Sequence, residues 1–157
     1  MSSSAHKFRE EDFPNLNNEF EKTSCDTIFY NCIAWTVGDT TKRWWPDPFA
    51  QLHWPDKIER IAKVKNFVEM YANHGGYTEC DDGSLEPGIE KVAIYARGQM
   101  QAVKHAAWQL DDGTWSSKLG PLEDINHKTP ENLTSKLYGE PVKFLKRERK
   151  SAKKPMP

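Results

Sequence analysis

The chain reads as an α+β domain, with N-terminal helices packed on a small antiparallel sheet. Three observations predict this. Helix-like apolar spacing with capping residues lies before residue 76, and strand-like runs divided by turn residues begin near residue 91. The strand–helix alternation that would build a parallel sheet is absent. At 157 residues there is room for one domain. The expected boundaries are a polar arm over 1–20, a single domain over 21–147 and a basic flexible tail over 148–157.

The elements follow in order. Phe8, Phe13 and Phe20 are scattered anchors in an otherwise polar arm. From Ile28 to Val37 the chain is apolar. It suits a short buried helix that starts near Asn31 and stops at Gly38, although its β-branched residues suit a strand as well. Thr41 to Pro55 holds three prolines and three tryptophans, which excludes a long regular element and predicts an ordered aromatic loop. Asp56 with Glu59 forms a capping-box-like pair for a helix to about residue 73, ended by Gly75-Gly76. Lys91–Ala96, Gln101–Leu110 and Thr114–Lys118 read as strands, the last two joined at Asp111-Asp112-Gly113, a hairpin signal. Thr129-Pro130 starts a short helix, and Pro141–Leu145 is a final strand.

Charge and cysteine usage bound the function. The formal charge is −1, which argues against a body built to bind nucleic acid or an anionic membrane. That value hides 15 basic and 22 acidic residues before residue 142, followed by seven basic residues and only Glu148. The tail suits a solvated terminus or a contact with a protein partner. Three cysteines cannot form a closed disulfide framework. With no apolar leader at the start and no run long enough to span a membrane, the expectation is a cytoplasmic protein with reduced thiols. A phosphate-binding glycine loop, CxxC, HExxH and GxSxG are all missing. Cys25, Cys32, Cys80 and His74 are too widely spaced for a zinc ligand set, so neither metal nor cofactor is expected.

Cys32 is the candidate nucleophile. At a helix start its thiol meets free backbone N–H groups, which favour thiolate and double as oxyanion donors. Among Ile, Ala, Trp and Val it equally suits a small buried hydrophobe. His105, on a strand beside small alanines, is the candidate general base and then acid. Asp124 is favoured as the group orienting it, because a carboxylate stabilises imidazolium. Ser117 and His127 are alternative third members, since hairpin register decides which side chain shares a face with His105. Trp44, Trp45 and Trp54, with His53, form either a rigid aromatic rim around a cleft or a satellite core.

Asn31-Cys-Ile-Ala-Trp35, Trp44-Trp-Pro46, Leu85-Glu-Pro-Gly-Ile-Glu-Lys91, His105-Ala-Ala and Ser117-Lys-Leu-Gly-Pro-Leu-Glu-Asp-Ile-Asn-His127 are similar to a family of mostly bacterial domains without an assigned activity. The likeness covers about residues 27–147. A helix cysteine followed by a hairpin histidine also resembles, in arrangement, the papain-like cysteine hydrolases of the NlpC type. That resemblance implies a papain-like fold and a thiol nucleophile. The glutamine which that superfamily carries upstream of the cysteine is missing, with Asp26 and Thr27 in its region, so only backbone donors remain for an oxyanion.

The leading expectation is a cysteine hydrolase or amidotransferase acting on an amide or acyl bond of a peptide or small substrate. Two other readings fit the same residues. One is a non-catalytic module holding a peptide or glycan on the Trp-Pro loop, and the other an adaptor or immunity-type interaction protein.

Overall fold

The structure is a computed structural model that describes residues 10–17, 19–23, 28–119 and 122–149. Its elements are β1 (Phe20–Lys22), α1 (Cys32–Val37), α2 (Val64–Gly75), β2 (Thr78–Cys80), β3 (Ile89–Arg97), β4 (Ala102–Gln109), β5 (Trp115–Lys118), β6 (Asp124–His127) and β7 (Glu140–Glu148). Turns of 3-10 helix cover Glu10–Asp12 and Pro130–Leu133. All seven strands form one sheet in the order β1-β6-β5-β4-β3-β7-β2, and every pairing is antiparallel.

This corrects the expected fold class. The molecule is β-rich, built on a seven-stranded sheet with two helices of six and twelve residues, and is not a papain-like set of helices on a small sheet. Part of the difference lies in β1 and β2, three-residue edge strands whose mixed polar sequences carry no alternation to read. Another part is β6, not assigned to any element above, whose polar Asp124 and His127 are buried.

The predicted helix from Asp56 begins only at Val64. Ala62 and Lys63 instead join the sheet margin: the Ala62 carbonyl accepts from Val103 N at 2.9 Å, and Lys63 bridges to Ala102. Asn66 Nδ2 ties down the Ile61 carbonyl at 2.9 Å, and the Glu59 carbonyl accepts from Trp54 Nε1. Those carbonyls are committed before a helix can use them. Gly76 ends α2 in the left-handed conformation, as the double glycine predicts.

The sheet separates two cores. Alternate residues of β3 and β4 serve each: Val92, Ile94, Ala106 and Trp108 pack under α1 and α2, while Ala93, Tyr95 and Ala107 pack on the opposite face. That second core is closed by Phe13, Leu16 and Leu133, so two residues of the segment expected to be a polar arm are buried. Phe8, Cys25, Asp26, Thr27 and the tail from residue 150 lie outside the described residues. Among the described residues no helix is long and apolar enough to cross a membrane.

Candidate active site

Local chemistry fixes α1. The Asn31 side chain accepts from Ala34 N at 3.1 Å and from Trp44 N at 3.0 Å, and donates to the Trp44 carbonyl at 2.8 Å. One residue thus caps the helix and pins the Trp-Pro loop to its start. Gly38, at φ 83°, closes the other end. The first residue inside the cap is Cys32, buried at 6% exposure.

The Cys32 sulfur lies where the sheet opens. β4 and β5 pair only at Trp108↔Ser116 and Gln109↔Trp115, although β5 continues along β6 to Lys118. Leu110 N bonds the Thr114 carbonyl, and strand alternation therefore aims the N–H groups of Trp108 and Ala106 toward β5 as well. Beyond the last pair the backbone N–H of Ala106, with those of Ile33 and Cys32, favours the charged form of the Cys32 sulfur. Burial outweighs these donors and pushes the thiol up to about 11, so at neutral pH it is a thiol.

The second half of the site spans the same opening from the other face. His105 pairs with Tyr95 and leaves β4 on that residue's side, fully buried. Its Nε2 lies 3.0 Å from Ser117 Oγ, which is 2.8 Å from His127 Nε2, while His127 Nδ1 is 2.8 Å from the Thr129 carbonyl. The direction of this chain is forced. A carbonyl only accepts, so His127 carries its proton on Nδ1. Burial holds His127 down to about 4, so it is neutral and its Nε2 must accept from the Ser117 hydroxyl. Ser117 in turn accepts from His105 Nε2–H. Burial, and then the neighbouring His127, lower His105 well below its ordinary value, which leaves Nδ1 as a lone pair. That nitrogen is buried and has no hydrogen-bond partner among the described residues.

Tyr138 completes the arrangement. Its ring lies flat on His105, with centroids 4.1 Å apart and planes 2° from parallel. Cys32 packs in the core under the helices, whereas His105 leaves β4 on the opposite face of the sheet.

The other expected residues sit elsewhere. Asp124 faces the helical side, where its Oδ2 accepts from Tyr30 at 3.1 Å; it pairs in register with Lys118, not with His105. Lys118 Nζ lies 5.4 Å from the Tyr30 ring and its charge acts on Cys32. Trp44 and Trp54 are buried, and Trp45 and Trp54 pack on Phe67 at 5.4 and 5.0 Å, so this loop is a satellite of the core. His53 is exposed and edges onto Trp44 at 4.4 Å. Tyr138 and the Thr129 carbonyl were not legible in the sequence. Neither a stacked ring nor a main-chain acceptor leaves a spacing signal.

Among the described residues no group of three or more His, Cys, Asp or Glu side chains is placed to hold a metal ion. Comparison with curated proteins and with solved structures finds no match to the chain. A family model does match, over residues 21–146, and the chain belongs to the family described as a domain of unknown function, DUF7689.

Proposed function

We propose that the protein is a cysteine hydrolase or acyltransferase acting on an amide or ester-type carbonyl. Cys32 is the nucleophile and His105 the base. The observation that supports this reading is the forced hydrogen-bond chain from the Thr129 carbonyl through His127 and Ser117, which leaves His105 Nδ1 as an unclaimed buried lone pair. A buried base without a partner costs stability, and such a cost is characteristic of functional sites.

The chemistry runs from the neutral pair. His105 Nδ1 takes the thiol proton as the sulfur attacks the carbonyl carbon, forming the C–S bond and an oxyanion. The N–H groups of Ala106, Ile33 and Cys32, which act on the sulfur at rest, supply donors for that oxyanion. The imidazolium then gives its proton to the departing nitrogen or oxygen, leaving a thioester. Water, deprotonated by the same Nδ1, releases the acid and restores the thiol. Ser117 and His127 are positioning residues. They hold the His105 tautomer, and no carboxylate terminates their chain.

The test is release of p-nitrophenolate from p-nitrophenyl acetate. Cys32→Ala is expected to abolish release above the uncatalysed rate, whereas Cys80→Ala retains it. Equal release by wild type and Cys32→Ala would overturn the reading.

A further inference from the structure

We infer that the protein binds a free α-amino acid with an apolar side chain, in a cavity that none of the proposed catalytic residues lines. The cavity has a volume of about 230 Å³ and is lined by residues 85–89, Asp111 and Arg149. Drug-sized ligands fill about 300–1,000 Å³, so the occupant here is smaller.

Its walls are fixed by short contacts. Residues 86–89 form a tight turn closed by the Ile89 N–H on the Glu86 carbonyl at 3.1 Å, with Gly88 at φ 74°. Lys91 Nζ lies 2.8 Å from Glu86 Oε2, which commits that carboxylate to the fold. The β4–β5 hairpin packs on Leu85, since a Cβ on Gly113 would meet Leu85 Cδ2 at 3.4 Å. Arg149 is held in place by its Nη2 group, which donates to the Ile89 and Gln109 carbonyls at 3.2 Å each. Its Nε–H has no hydrogen-bond partner among the described residues. Buried Glu90 lies 2.6 Å from Arg147 and 3.6 Å from Arg149, so two guanidinium groups share one carboxylate. One positive charge is left over, and Arg149 is the member of that cluster that lines the cavity.

Asp111 supplies the opposite charge, exposed and without an ion-pair partner among the described residues. A guanidinium, a carboxylate and the apolar Leu85, Pro87 and Ile89 thus surround one small space. They match the carboxylate, the ammonium and the side chain of an amino acid. A fatty acid would leave Asp111 unmatched, and an aliphatic amine would leave Arg149 so.

Isothermal titration calorimetry tests this with L-leucine, and with glycine, 4-methylpentanoate and 3-methylbutylamine, which lack its side chain, ammonium and carboxylate in turn. Leucine is expected to bind with a Kd of about 1 mM or tighter. The other three should each bind about tenfold or more weakly. Asp111→Asn is expected to weaken leucine by about tenfold and leave 4-methylpentanoate unchanged. Leu85→Ser should bring leucine toward glycine, with the melting temperature of each variant confirming its fold. No saturable leucine binding, or either leucine analogue binding as tightly as leucine, would overturn the inference. So would leucine affinity that survives both substitutions. Cys32→Ala should keep leucine binding intact, so this inference and the hydrolase reading fail separately.

Discussion

Ser117 is the residue on which the site's geometry turns. It accepts from one buried histidine and donates to another, and no other side chain among the described residues bonds either Nε2. Ser117→Ala leaves a donor and an acceptor unsatisfied in the core, at a cost of about 2–3 kcal/mol. Urea denaturation reads this directly, and a loss below about 0.5 kcal/mol would contradict the hydrogen-bond chain. The histidines themselves set a pH dependence. Burial lowers His127 in the folded state from 6.5 to about 4, against the raising effect of the Thr129 carbonyl, so as pH falls the unfolded chain takes up its proton first. Stability present above pH 6.5 is therefore lost as pH falls through about 4. The loss from His127 alone is about 2 kcal/mol at pH 5, and His105 shifts in the same direction. Unfolding free energies measured between pH 7 and 4 should show this slope, reduced in His127→Gln. An identical slope in that variant would exclude the buried neutral histidine.

Elements differ in how much of them the sequence discloses. α1 was legible at both ends because Asn31 and Gly38 are local signals that the structure uses locally. The β4–β5 hairpin was legible for the same reason, through Asp111-Asp112-Gly113. α2 was legible only at its glycine end. Its start is decided by distant partners, since Val103 and Ala102 recruit Ala62 and Lys63. Two glycines separate local from tertiary constraint. Gly76, at φ 69°, has open space where a Cβ would stand, so Gly76→Ala should cost only about 1 kcal/mol. Gly139, at φ 74°, lies just before β7, and a Cβ there would stand 1.9 Å from the Ala96 carbonyl oxygen. Gly139→Ala should cost several-fold more, shifting the loop that carries Tyr138. Equal melting temperatures for the two variants would contradict the close approach of that loop to β3.

At the scale of the whole molecule, the sheet carries more than its own strands suggest. The candidate nucleophile and base were legible as residue types, Cys32 at a helix start and His105 on a strand. Ser117 and His127 were named as alternatives to Asp124, but which of the three meets His105 was not legible, because that depends on the β4–β5 register and on a strand, β6, with no alternation to read. A carboxylate at Asp124 was the chemically attractive choice, yet register turns it to the other face beside Tyr30. Because β3 and β4 feed both cores, loss of one core should bring down the other. Tryptophan fluorescence and far-UV circular dichroism should give coincident denaturation curves, even in Leu133→Ala, which empties one side only. Separated curves would show that the two faces fold independently.

The central claim is that Cys32 and His105 act together across the opening between β4 and β5. The direct measurement is peptide-level mass spectrometry after a brief exposure to p-nitrophenyl acetate, comparing wild type with a folded His105→Gln variant. Wild type is expected to carry acetyl on Cys32 ahead of the more exposed Cys80, at a rate reduced by about a hundredfold or more in His105→Gln. Acetylation of Cys80 alone, or of Cys32 at the same rate in both proteins, would contradict it.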